Sequence, residues 1–294
     1  MIGVLSGRAP TLSLNMASFR AGLAETGYVE GRNFVLEFGL AEDTGQLPAL
    51  AADLVRRRVA MIFAGGGPAS VAAKSATTAI PIVFGTGVDP VEEGLVASLN
   101  RPGGNMTGVT FLTHELTGKR IELLHEIVPA ATTIGFLLDP TIAAAQTKNA
   151  EAASRALGVQ LAILKASTPS QIETVFTTLI ERRIGALAIG PYGRFFVFQG
   201  EQIVSLAARH GTPVSYPFRE YVDAGGLMSY GPNLAEPFRM AGTYAGRILK
   251  GEKPADLPVQ RSSRIETVID LKAAKALGLT LSQSILALAD EVIE

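Results

Sequence analysis

The sequence predicts an α/β protein made of two similar lobes, each built on a parallel sheet. Three observations carry this reading. Short apolar runs alternate with helical stripes along the chain, the order that gives a parallel sheet covered on both faces. The alternation then restarts in the second half: "LVRRRVAMIFAG" (54–65) aligns without a gap with "LIERRIGALAIG" (179–190), and "IPIVF" (80–84) with "TPVSY" (212–216). Ile134–Leu138 likewise reads like Ile2–Ser6. The spacing between copies is far longer than the ~20–50 residues of a stacked solenoid repeat, so two lobes are expected.

The elements follow in order. Ile2–Leu5 is a strand, followed by Leu12, Met16, Phe19 and Leu23 on one helical face. Phe34–Phe38 alternates as a strand, and Leu47, Leu50 and Leu54 mark a helix. Ala60–Ala64 is a fully apolar strand before a helix through Ala69–Ala76, and Ile82–Phe84 is the next strand. Asp89-Pro90 with Glu92 has the form of a capping box, which predicts a helix from Val91. Pro102-Gly103-Gly104-Asn105 is a turn cluster between the repeats, and therefore a hinge candidate, with a strand resuming at Met106. Asp139-Pro140 repeats the capping device in the second lobe. After "GGLMSYGPN" (225–233), Pro237 opens a helix that carries Phe238, Ala241, Ala245 and Ile248 and ends near Gly251. Ile265–Leu271 is a late strand and Ala273–Leu277 a short helix.

Composition narrows the function. The chain has 294 residues, 26 basic against 27 acidic, and no cysteine. Balanced charge argues against a nucleic-acid partner. The missing cysteine removes disulfides, thiolate zinc sites and cysteine nucleophiles. There is no P-loop, no G-x-S-x-G elbow and no paired histidine; His114, His125 and His210 lie far apart. No metal, cofactor or catalytic residue is expected. No apolar run reaches the ~20 residues that span a bilayer, and the chain opens directly on a strand, without the pattern of a signal peptide.

In an open parallel sheet, ligands bind beyond the carboxyl ends of the strands. The candidate ligand-facing residues in those loops are Ser6, Arg8, Gly66, Gly67, Pro68, Ser70, Thr86, Gly87 and Asp89 in lobe one. In lobe two they are Asp139, Pro140, Tyr192, Tyr216, Arg219 and Glu220. Lobe one offers glycines, small hydroxyls and helix amino ends, which suit a carboxylate. Lobe two offers rings beside charges, with Phe196 and Phe218 assigned to the core. Together they suggest a small anionic or zwitterionic ligand with an apolar part.

The stretches "GYVEGRNFVLEF", "LPALAADLVRRRVAMIFA", "TTAIPIVF", "DPVEEGLVASLNRPGGNMTGV", "AGGLMSYG" and "GRILKGEKPADLPVQ" resemble the solute-binding components of ABC transporters, in the group that includes aromatic-amino-acid-binding members. The resemblance spans essentially the whole chain. It implies a type I periplasmic-binding-protein architecture: two Rossmann-like lobes, three interlobe crossings and a cleft that closes by hinge motion. It places lobe one at 1–105 plus 226–262 and lobe two at 106–225 plus 263–294, with crossings near 100–112, 222–232 and 260–268. It implies a small-molecule ligand, a membrane permease as partner, a monomer and a mature periplasmic form. In related folds that bind amino acids, lobe-one hydroxyls and amides take the carboxylate, here Ser70, Thr86 and Gly87. An acid takes the ammonium, a role for which Asp89, Asp139 and Glu220 compete. The alternatives are a repressor's ligand-sensing domain on the same fold, which would need a helix-turn-helix before Ile2, and an α/β enzyme.

Overall fold

The computed structural model describes residues 1–7, 12–111, 113–140, 143–191, 196 and 199–294, with side-chain surroundings for all of these except 12–14, 114 and 143–146. The chain divides into two compact units, Met1–Leu112 with Leu234–Ser263, and Thr113–Asn233 with Arg264–Glu294.

The first unit carries strands β1 (Ile2–Gly7), β2 (Leu36–Ala41), β3 (Met61–Gly65), β4 (Ile82–Thr86) and β5 (Met106–Thr110), with the late strand β11 (Gln260–Arg261). Among the described residues they form one sheet in the order β11-β5-β4-β3-β1-β2, parallel throughout. Its helices are α1 (Leu12–Glu25), α2 (Leu47–Arg56), α3 (Gly67–Ala76) and the later helix Ala235–Leu249. Strand alternation sends Val4, Phe63 and Val83 to one face and Leu5, Ile62, Ala64 and Phe84 to the other, and both faces are buried. Met16, Phe19 and Leu23 of α1 cover the first face with Phe238, Ala241 and Ala245. Phe19 packs on Phe63 at 4.5 Å between ring centroids, and Phe63 meets Phe238 edge-on at 5.5 Å. Each such side chain stabilises the lobe by about 1.5–3 kcal/mol on burial. Leu47, Ala51 and Leu54 of α2 cover the second face.

The second unit repeats the plan with β6 (Thr133–Leu138), β7 (Gln160–Lys165), β8 (Ala186–Ile189), β9 (Val214–Tyr216) and β10 (Met228–Pro232). Strands β12 (Ile265–Asp270) and β13 (Glu291–Ile293) extend it, in the order β13-β12-β10-β9-β8-β6-β7. The repeated sequence segments therefore fall on equivalent strands, β3 with β8 and β4 with β9. The only antiparallel pair among the described strands is β10 with β12. Helices α4 (Thr117–Ile127), α5 (Ala143–Leu157), α6 (Pro169–Glu181) and Gly200–His210 cover the faces.

Four expectations change. Residues 90–98 form turns rather than a helix from Val91. Asp89 Oδ1 does accept from Val91 and Glu92, at 2.8 and 3.2 Å, but Gly94 turns left-handed at φ 64° and stops the coil. Pro102–Asn105 is not a crossing. Gly103 and Gly104, at φ 64° and 91°, turn the chain back, and Asn105 Nδ2 ties the turn to Thr77 and Ile80 carbonyls. β5 then pairs with β4, so it belongs to the first unit instead of opening the second. The first boundary falls at Leu112 rather than 105. Residues 226–233 belong to the second unit, because β10 pairs with β9 and β12.

Candidate ligand-binding site

Strand order reverses beside β1 in the first sheet, so the connections that leave the paired strands β1 and β3 part to opposite faces there, a switch point where open α/β sheets bind ligands. Ser6, next to last in β1, lies opposite Gly65 of β3, with its Oγ 3.5 Å from the Gly65 carbonyl. Gly66 caps α3 at φ 95°, a conformation that suits glycine, and its amide donates to the Gly85 carbonyl at 2.8 Å. At Gly67 a Cβ would lie 3.2 Å from Val88 and 3.5 Å from Thr86 Oγ1. The two glycines thus keep open the space in front of α3, a ten-residue helix whose amino end favours negative charge. Pro68 is exposed in the first turn.

Ser70 is fully buried and its hydroxyl donates to the Gly66 carbonyl at 2.8 Å, so it is bonded back to the first carbonyl of its own helix. Thr86 is also fully buried; its Oγ1 accepts from Val88 N–H at 3.2 Å and shapes the turn. Gly87 and Asp89 are half-buried in that turn. Arg8 lies outside the described residues.

The second sheet has its switch point between β6 and β8. Asp139, half-buried, and Pro140, exposed, follow β6. Gly190 follows β8, its amide donating to Leu137 O at 2.7 Å. Tyr192, the ring on which lobe two's apolar recognition was to rest, lies outside the described residues.

The β9 loop differs from expectation. Tyr216 is fully buried in the core, stacked on Tyr221 at 4.9 Å and 15°. Its hydroxyl has no hydrogen-bond partner, and burial, then the charge of Tyr221, raises its pKa. It therefore packs the lobe instead of facing a ligand. Tyr221 donates to the Phe196 carbonyl at 2.9 Å, and Phe196 is buried beside it. Arg219 is committed to structure. It pairs with Glu291 of β13 at 3.0 Å and with Asp223 at 3.3 Å, and reaches Glu266 at 3.9 Å. Its hydrogen bond to Glu291 is the main cause that raises its pKa. Glu220 opens the short helix Glu220–Asp223, with Oε2 enclosed and without a hydrogen-bond partner. Burial above all, then the charges of Asp223 and Glu266, push its carboxyl up to about 7.

Arg120 was missed. It is fully buried on α4 and donates to Thr117 Oγ1 at 3.0 Å. The signal was present: Arg120 shares a helical stripe with Leu124 and Ile127, a cation at a core position.

The family model described as "ABC transporter substrate binding protein" matches residues 4–293. The tyrosine-binding protein of Clostridioides difficile is 27% identical over 274 residues, 92% of this chain and 78% of that protein. A Streptococcus pneumonia ABC domain solved in complex with L-Trp is 27% identical over 100% of both chains, with a TM-score of 0.86. A conserved domain protein of Vibrio cholerae superposes at a TM-score of 0.87 with 25% identity, over 99% of this chain and 98% of that one. A type I periplasmic-binding-protein fold and a family match over almost every residue converge, and the chain belongs to the ABC transporter substrate-binding proteins, which deliver small ligands to a transporter's permease outside the cytoplasm.

Proposed function

We propose that this protein captures an aromatic or other apolar amino acid, or a closely related carboxylate, for import. The observation that carries this reading is the pair of relatives, aligned over nearly the full chain, whose names state tyrosine and L-Trp. The first unit supports it: the amino end of α3, kept clear by Gly66 and Gly67, is chemically suited to a carboxylate. For the ammonium, Asp89, Asp139 and Glu220 remain the candidates, and Tyr192 is proposed to stack on the side chain. Arg219 and Tyr216 are not carried forward, because the ion pairs of one and the core packing of the other account for them.

The protein acts in this reading as a monomer in the periplasm, turns over no substrate and binds no nucleic acid, in keeping with its balanced charge. Calorimetry with tyrosine, tryptophan, phenylalanine, their deaminated acids and a panel of sugars tests it. Tight binding of a sugar with no heat from any amino or aromatic acid overturns it.

A further inference from the structure

Asn233 and Arg264 are the residues at which the second unit hands the chain to the first and receives it back. They lie side by side. β10 and β12 are antiparallel, Gly231 opposite Glu266 and Pro232 opposite Ile265, and the Asn233 amide donates to the Arg264 carbonyl at 3.0 Å. Asn233 is also tied to β12 through its side chain, Nδ2 donating to Glu266 Oε2 at 2.6 Å. Glu266 is 9% exposed, and its other oxygen, Oε1, has no hydrogen-bond partner.

The helix Glu220–Asp223 packs on these two strands and brings a second carboxyl, that of the half-buried Glu220, whose Oε2 is enclosed and likewise has no hydrogen-bond partner. The charges around the pair are unequal. Arg219 is shared among Asp223, Glu291 and Glu266. Arg264 is exposed at the head of β12. Tyr221 gives its hydroxyl to Phe196, and the helix Gly200–His210 meets this corner through Gly200 against the Tyr221 ring. Tyr230 of β10 alternates to the opposite face and packs with Leu277 and Leu279. Arg219 thus serves four carboxyl groups, Glu220, Asp223, Glu266 and Glu291, while the buried guanidinium of Arg120 on α4 lies near Tyr221. Burial, and the like charges of Asp223 and Glu266 beside it, disfavour ionisation of Glu220, and a proton there restores the balance.

We propose that Glu220 and Glu266 form a proton-operated tie on the two crossing strands. With Glu220 protonated, Glu266 is the single enclosed carboxylate and holds Asn233. When Glu220 loses its proton to solvent, two enclosed carboxylates repel, Glu266 turns toward Arg219, and the hold on Asn233 loosens. Crossing segments are the hinge positions of two-lobed proteins, so the tie governs the stiffness of the hinge. Burial of Glu220 puts the switch around neutral pH, its carboxyl being pushed up to about 7.

Hydrogen exchange on the ligand-free protein tests this independently of ligand identity. From about pH 6 to about pH 8, corrected for intrinsic rates, protection of the Asn233 amide and of β12 is expected to fall roughly threefold or more, while β1 keeps its protection. Glu220→Gln, which keeps the shape and removes the charge, is expected to hold the low-pH protection throughout. Carboxyl-carbon NMR of the unaltered protein is expected to show Glu220 titrating near neutrality. Titration of Glu220 in the usual carboxylate range, protection indifferent to pH, or the same fall in Glu220→Gln overturns the proposal.

Discussion

Arg58 and Arg183, which occupy the same place in the aligned segments 54–65 and 179–190, share a left-handed backbone, each at φ 53°. Both end a helix by the same wrapped pattern. Val59 N–H reaches back to Leu54 O at 3.5 Å, and Ile184 N–H to Leu179 O at 2.8 Å. A side chain in this region is strained by roughly 1–2 kcal/mol, and glycine relieves it at some entropic cost. Arg58→Gly and Arg183→Gly are each expected to stabilise the protein by about 0.5 kcal/mol, and either position changed to Val to cost ~1 kcal/mol or more. Urea unfolding curves read both directions.

Tyr216→Phe removes a hydroxyl that is buried without a partner while keeping the ring stacked on Tyr221. Stability is expected to rise by about 1 kcal/mol with ligand affinity unchanged. Tyr221→Phe goes the other way, because that hydroxyl donates to Phe196, and a loss of ~1 kcal/mol is expected. A weakened ligand in Tyr216→Phe would return that residue to the site.

The helices α1 and Ala235–Leu249 cross where a Cβ on Gly22 would lie 1.9 Å from Arg239 O, and one on Gly242 2.0 Å from Phe19 O. Gly22→Ala or Gly242→Ala is expected to cost more than ~2 kcal/mol, outweighing the ~1 kcal/mol by which alanine favours a helix. Gly118→Ala on α4, whose Cβ would meet Ala153 at an ordinary 3.6 Å, is expected to be neutral or stabilising. Thermal melts of the three variants separate backbone crowding from helix propensity.

The raised carboxyl of Glu220 carries a stability signature. A group that folding makes harder to ionise stabilises the fold in its protonated form. Its contribution is greatest below the usual carboxylate range and is lost as pH rises from there toward about 7. The loss amounts to on the order of 3–4 kcal/mol at about 1.4 kcal/mol per unit. Glu220→Gln is expected to flatten that part of the profile and to be more stable than the parent above neutrality. Unfolding free energies across the range give the answer directly.

Ligand contacts are separated by two further variants. Asn replaces Asp well as a cap, so Asp89→Asn is expected to fold normally. If Asp89 holds a ligand ammonium, affinity for an amino acid falls and that for its deaminated acid stays. If it only shapes the turn after β4, both stay. Tyr192→Ala is expected to weaken aromatic ligands by roughly tenfold or more and small ones little. An unchanged Kd removes that ring from the site.

Much of the fold was legible because the two periods, about 2 for strands and 3.6 for helices, are clean in the apolar positions. The repeat was legible because β3 and β8 carry nearly the same letters. Ownership of β5 was not, since Pro102-Gly103-Gly104-Asn105 reads alike as a turn or as a crossing. The helix from Val91 failed because Asp89 caps a turn with the same hydrogen bonds that would start a helix. The ion pairs of Arg219 were not legible because its partner Glu291 lies in the last strand, a long-range pairing that no local pattern announces. Tyr216 was legible in hindsight: it shares strand parity with the buried Val214.

The first unit takes its last helix and its edge strand β11 from residues 234–263, after most of the second, up to Asn233, has been made. During synthesis the apolar stripe Met16, Phe19 and Leu23 therefore waits for Phe238 and Ala241, more than two hundred residues away. Such separations slow folding and leave a sticky surface uncovered in the nascent chain. Neither lobe can close until the last fifth of the chain is available, so the two lobes complete their cores together rather than one after the other.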